Sequence, residues 1–218
     1  MKEDLSSFTE EDSDDLPTLR ESIKEIWGLV IPIFLNFVCW YLQQTVVYWF
    51  IGWKYPLDAK VFLSSIGMAN AYMNSVVFST GLGIIQAIDT LCSNAYGAGN
   101  YYLMGIYLHR GRLISMVFCF LMGVFNFFYG VNVIGLFVTE PEILMNVSIY
   151  IKLNSISFFL LLVYNSNQRY MNVLRKAHIT TRIVLSTIIL HVLWCYIFIG
   201  ILDLSIVGAG LAMILTQI

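Results

Sequence analysis

Charge is scarce in this chain: Asp, Glu, Lys and Arg make up 12% of its 218 residues, against 58% hydrophobic, with a mean hydropathy of +0.74. Soluble domains carry about 25% charged residues. So little polar surface excludes a globule in water, and no nucleic-acid partner is expected. Cysteine is also sparse. Cys39, Cys92, Cys119 and Cys195 lie far apart, with neither the even spacing of a disulfide framework nor that of a metal-ligand set. No metal and no cofactor is expected. The chain has no H-E-x-x-H, no G-x-S-x-G and no paired intramembrane aspartates. Gly97 and Gly99 open a G-x-G, but Tyr102 stands where a third glycine would be, so a phosphate cradle is not supported. The expectation is a protein that is not an enzyme.

The N-terminal segment is not expected to be a cleaved leader. The N-terminal segment holds nine of the fourteen acidic residues and no basic region followed by a short apolar core. Residues 1–21 read as an acidic, disordered cytoplasmic tail. A helix is expected to start near Thr18 or Ser22, because "TLRE" and "SIKE" both set Ser or Thr three residues before Glu.

What is abundant is long apolar runs. Charged residues bound five of them: Glu25 to Lys54, Lys60 to Asp89, Arg112 to Glu140, Glu142 to Arg169 and Arg182 to Asp203. About 20 apolar residues cross the hydrocarbon of a bilayer, so each run predicts a membrane helix. After Asp203 the run "LSIVGAGLAMILTQI" would reach only about 22 Å as a helix. The fold expected is all-α and polytopic: five complete spans and the start of a sixth within residues 22–218. A chain cut inside that sixth helix is the corresponding expectation.

Lys and Arg in short loops set orientation. His109, Arg110 and Arg112 follow the second span, and Arg169, Arg175, Lys176, His178 and Arg182 follow the fourth. These loops are expected to face the cytoplasm, and the N-terminus with them. The sequon at Asn146 then falls on the outer side as a weak glycosylation candidate. Pro141 suits a helix start, and Pro32 a kink in the first helix.

Mid-span charge is nearly absent, whereas amides are plentiful: Asn36, Gln43, Gln44, Asn70, Asn74, Asn126, Asn154, Asn165 and others. Each needs a partner in hydrocarbon. Interhelical hydrogen bonds and a polar path through the bundle both fit. His191 fits either a proton relay or a neutral ring bonded to a neighbouring helix. Asp89 reads as a residue of the cytoplasmic boundary.

The stretch "AIDTLCSNAYGAGN" closely resembles the signature of eukaryotic multidrug and toxic compound extrusion (MATE) proteins, A-L-[D/E]-T-L-C-G-Q-A-[Y/F]-G-A-G. Ala87, Asp89, Thr90, Leu91, Cys92, Ala95, Tyr96, Gly97, Ala98 and Gly99 match, while Ser93 and Asn94 replace Gly-Gln. Asn74, Gly83, "GIYLHRGRLI", Pro32, Gly52, Tyr150, Lys152, "RYMN" from Arg169 and "IVGAGLA" are similar to further family positions. The fourth-helix proline and the proline opening the fifth helix are missing. The first-helix aspartate of bacterial members is Val47 here.

The resemblance implies the first lobe of a twelve-helix, two-lobe antiporter. Such a protein would export xenobiotics or organic cations in exchange for protons or sodium, with coupling carboxylates in the second lobe. It implies cationic or amphipathic small molecules, a coupling ion and the bilayer as partners, in a plasma, vacuolar or other endomembrane. Substrate-cavity candidates are Asn74, Asn70, Gln43 and Gln44. Asp89, Thr90, Leu91, Cys92, Tyr96, Gly97, Gly99, Arg169 and Tyr170 are candidates for the cytoplasmic gate. The alternatives are a lipid-linked oligosaccharide flippase of the same superfamily, or a truncated, non-transporting membrane protein.

Overall fold

The structure is a computed structural model that describes residues 18–218. The acidic tail therefore lies, but for its last residues, outside the described region. The helix begins at Leu19, because Thr18 and Glu21 form the reciprocal cap that "TLRE" encodes. The Glu21 amide donates to Thr18 Oγ1 at 3.4 Å, and the Thr18 amide donates to Glu21 Oε2 at 2.9 Å.

Six helices follow one another: α1 (Leu19–Lys54), α2 (Ala59–Gly97), α3 (Tyr101–Ile134), α4 (Pro141–Val173), α5 (Ala177–Ile201) and α6 (Ser205–Gln217). The first five are long and apolar enough to cross a membrane, and α6 is a shorter apolar helix. No strand occurs among the described residues. The all-α, polytopic fold is as expected.

The loops differ from expectation. His109, Arg110 and Arg112 are not in a loop but inside α3, which starts at Tyr101 behind the Asn100 cap. Arg169 belongs to α4, and His178 and Arg182 to α5, leaving Arg175 and Lys176 in the connection. The physical reason is length. A helix of 34 residues is about 51 Å long, well beyond the roughly 30 Å of hydrocarbon. Apolar patterning marks only the part in lipid, and the basic ends stay helical past it.

α4 is the most buried span and sits at the centre, packed by α2, α3 and α6, while α1 pairs mainly with α5. Tyr150, Ile151 and Val147 of α4 are fully buried in a core shared with Ile51, Ile66 and Ile199. Trp27, Phe34, Trp49, Phe120 and Phe128 on α1 and α3 are exposed. Lipid tails are as apolar as these side chains, so helix association rests on close packing and hydrogen bonds. Gly210 shows the closeness: a Cβ there would lie 2.7 Å from Leu153 Cδ1, and one at Gly208 would lie 2.9 Å from the Phe198 carbonyl oxygen. Asn146 is buried in α4, at odds with its reading as a glycosylation acceptor.

Two helices contain a widened π turn, Asn74–Phe78 in α2 and Tyr196–Ile201 at the end of α5. In the first, the Ser79 amide donates back five residues to the Asn74 carbonyl. Such turns are rare and often sit beside functional sites.

Candidate functional site

A cavity of about 200 Å³ opens between α1, α2, α4, α5 and α6. Helical spacing brings its lining together. Asn36, Trp40 and Gln43 recur at the i, i+4, i+7 positions of α1, and Leu161, Tyr164, Asn165, Gln168 and Asn172 share one face of α4. Phe78, from the π turn of α2, stacks on Trp40 with centroids 5.6 Å apart and planes 16° from parallel. The walls are therefore aromatic, with amides between them. Asn36 is anchored by its Nδ2, which donates to the Pro32 carbonyl at 2.9 Å and to Thr181 Oγ1 at 3.1 Å.

Behind Gln43 and Thr216 lies His191, fully buried. Nε2 donates to the Gln43 carbonyl oxygen at 3.0 Å, since a carbonyl can only accept. Nδ1 faces Thr216 Oγ1 at 2.7 Å, and that hydroxyl also lies 2.6 Å from the Ala212 carbonyl. One imidazole thus fastens α5 to α1 and α6. Cys195, one turn on, lies 3.5 Å from Nε2.

The four candidate cavity amides separate. Gln43 lines the cavity. Asn70 and Gln44 belong to a second, hydrogen-bonded cluster. Asn70 Nδ2 donates to Gln44 Oε1 at 3.0 Å and to Tyr48 OH at 3.1 Å, and its Oδ1 accepts from Asn154 Nδ2 at 3.3 Å. That amide has partners on α1 and α4 and is spent on joining them. Asn74 begins the π turn, half-buried, where its carbonyl accepts from Ser79 Oγ at 2.7 Å.

At the end of the bundle that holds Gly97, the signature residues close α2 and start α3. Gly99 has φ +70°, the left-handed conformation that glycine adopts without a Cβ penalty. The Asn100 amide donates to Ala95 O and the Gly99 amide to Tyr96 O, each at 2.9 Å, the paired bonds that finish a helix. Asn100 Oδ1 then accepts from the Leu103 amide and caps α3. Cys92 Sγ donates to the Met104 carbonyl at 3.6 Å, within a small core of Ile88, Ala95 and Leu108 against which Tyr96 and Tyr170 pack. Thr90 donates to the Gln86 carbonyl of its own helix, and Leu91 faces outward. Asp89 pairs with Arg169 at 3.5 Å. Arg112 donates to Ser166 Oγ at 3.4 Å and to Asn167 Oδ1. Arg175 pairs with Glu25. The structure thus brings Asp89 and Arg169 together across α2 and α4, with Arg169 also at the cavity edge.

At the opposite end the α1–α2 and α5–α6 connections meet. Tyr55 OH donates to Asp203 Oδ1 at 2.5 Å and accepts from the Ser205 amide at 3.2 Å. Lys54 donates to the Gly200 carbonyl at 3.1 Å and lies 3.9 Å from Asp203. Burial and the neighbouring Asp203 carboxylate push the Tyr55 phenol up to about 12. Asp203 and Ser205 both have positive φ, 56° and 44°, a conformation that non-glycine residues seldom hold.

Trp40, Phe78, Tyr164, Asn165 and Asn172 are cavity residues that were not among the sequence candidates. The amide pattern held part of the signal, in Asn36 and Asn165, but aromatic residues are too common in membrane spans to stand out.

The chain is 25% identical over 201 residues to Protein DETOXIFICATION 27 of Arabidopsis thaliana, an alignment covering 91% of the chain and 40% of that protein. It is 28% identical over 199 residues to Multidrug and toxin extrusion protein 2 of Pongo abelii, covering 88% of the chain and 33% of that protein. The chain thus spans less than half the length of these relatives. Its backbone matches the crystal structure of the eukaryotic MATE transporter AtDTX14 with a TM-score of 0.82 at 17% identity, over 89% of the chain and 42% of that structure. This last likeness speaks to the fold. The sequence profile of the MatE family matches residues 32–197, most of the membrane bundle, and the chain belongs to the MatE family.

Proposed function

We propose that the chain forms one lobe of a secondary active transporter that exports small cationic or amphipathic molecules by alternating access, in exchange for protons or sodium. The observation that carries the reading is the cavity: aromatic and amide walls from five helices, enclosed in a bundle with an apolar outer face. Ligand sites between helices take this form. In repeat-built transporters such sites lie at the interface that rocks. The names of the relatives, detoxification and multidrug and toxin extrusion, support the same direction.

In this reading the Gly97 end faces the cytoplasm, which agrees with its arginines and lysine, in a plasma or internal membrane. The Asp89–Arg169 pair acts there as a gate, with Tyr96 to Gly99 and Tyr170 holding the helix ends against it. Gln43 contributes to the substrate path directly. Asn70, Gln44 and Asn74 act through the positions of α1 and α2. A flippase for anionic lipid-linked sugars would need free cations in the cavity. Arg169, the charged residue among the described lining, is bridged to Asp89.

The test is efflux. The reading frame containing this chain is expressed in cells lacking their own drug exporters, and ethidium accumulation is followed with and without a protonophore. Lower accumulation that the protonophore reverses is expected. Correctly inserted protein with no gradient-dependent efflux under a proton or a sodium gradient would refute the reading.

A further inference from the structure

We propose that Lys152 and the outer surface shared by α3 and α4 bind one anionic phospholipid, its phosphate at Lys152 and an acyl chain along α3. The inference rests on the bundle spanning a bilayer and is independent of what the cavity carries. Lys152 is exposed, with its ammonium 5.1 Å from the centre of the Phe127 ring. It is the only charged residue between Glu142 and Arg169, and it lies about 17 Å along α4 from Pro141. A cation at such a depth is costly unless something answers its charge. The ion pairs among the described residues are Lys54–Asp203, Asp89–Arg169 and Glu25–Arg175, and Lys152 is in none of them. Glu142 is about 15 Å away along the same helix. The ring face of Phe127 offsets part of the charge, but it is no substitute for an oxygen acceptor.

The surroundings of the lysine select the occupant. Lys152, Ile156 and Phe159 recur at i, i+4 and i+7 of α4, and all are exposed. On the neighbouring α3, Leu113, Val117, Phe120, Val124 and Phe127 follow the same spacing and are exposed too. That stripe is about 21 Å long, enough to run the depth of one leaflet, half of the roughly 30 Å of hydrocarbon. A small anion gains nothing from these apolar side chains, and a hydrocarbon gains nothing from the ammonium. A molecule with both a phosphate and acyl chains matches the whole surface, and lysine serves phosphate as a point charge. Cβ atoms tilt toward the start of their helix, so the side chain extends toward Pro141. The headgroup it meets therefore belongs to the leaflet away from Gly97.

Native mass spectrometry of the full chain in detergent tests this. The probes are phosphatidylglycerol and a galactosyl diacylglycerol with the same acyl chains. The native chain should prefer the phospholipid by about tenfold. Lys152→Gln should remove most of that preference and Lys152→Arg should keep it. Arginines at the Gly97 end are common to all three proteins and cancel in the comparison. Glycerol phosphate, an anion without chains, should not displace the bound lipid. No preference in the native chain overturns the proposal, and is the result a carboxylate already seated on Lys152 would give. A preference undiminished in Lys152→Gln, or lost equally in Lys152→Arg, overturns it as well. Displacement by glycerol phosphate would reduce the site to one for a small anion and overturn the lipid.

Discussion

His191 Nε2 donates to the carbonyl oxygen of Gln43, 3.0 Å away and 148 residues earlier in the chain. The same ring reaches Thr216 through Nδ1, so three helices meet at one side chain that water does not reach. His191→Leu should lower stability by about 1–3 kcal/mol, the usual cost of stranding buried polar partners. His191→Gln should recover part of it. Thermal unfolding in detergent measures both. An unchanged midpoint for the leucine variant would mean that the imidazole does not hold these helices together.

The Asp89–Arg169 pair is about one-third exposed on each side, 31% and 26%. Pairs of this kind contribute about 0–1 kcal/mol. A double-mutant cycle of Asp89→Asn and Arg169→Gln should return a coupling in that range, reduced further at high salt. A coupling several times larger would make the pair a main support of the fold and weaken its assignment as a gate.

Glycines divide into those that need their smallness and those that do not. Gly210→Ala forces a Cβ to within 2.7 Å of Leu153, and Gly208→Ala meets backbone at 2.9 Å. Each should cost about 1–3 kcal/mol by overpacking. Within the signature, Gly97 has open space and Gly99 has φ +70°. Gly97→Ala is expected to be tolerated and Gly99→Ala to lose about 1 kcal/mol. Parallel melting curves of the four variants check the ranking, and equal losses at Gly97 and Gly99 would contradict it.

The Tyr55 phenol is raised from an ordinary value of 10 to about 12 by burial and by Asp203. A group whose folded pKa is raised adds stability that is complete below its unfolded value and lost as pH climbs toward the folded one. Tyr55 should therefore favour the folded connection up to about pH 10 and cease to do so by about pH 12. The comparison is with Tyr55→Phe, which removes only the phenol oxygen. The melting temperature of the native chain should fall more steeply across this window than that of the variant. Parallel slopes would show that the phenol carries none of the effect.

The fold was largely legible because a bilayer demands long apolar helices, and the charges bounding each run mark where the hydrocarbon stops. Thr18, Glu21 and Pro141 gave helix starts for equally local reasons. The ends near Arg112 and Arg169 were not legible, because nothing in apolar patterning distinguishes a helix leaving lipid from a loop. Sequence also could not tell Gln43 from Gln44. The two are adjacent, and rotation by about 100° per residue sends one to the cavity and the other to Asn70. That rotation is fixed by packing against α5 and α2, which no local pattern encodes. The Asp89–Arg169 pair lay in two separate motifs, and only the fold joins them.

The π turn at Asn74–Phe78 makes α2 one rod with two phases. One extra residue offsets everything beyond it by about 100° relative to an unbroken α-helix. The Ala59–Met73 segment can thus turn Asn70 toward Tyr48 and Asn154 while the π turn sets Phe78 toward Trp40. Deleting any single residue between 74 and 78 would keep α2 helical and still pull these two faces out of step, so that in this helix the count of residues carries as much information as their identity.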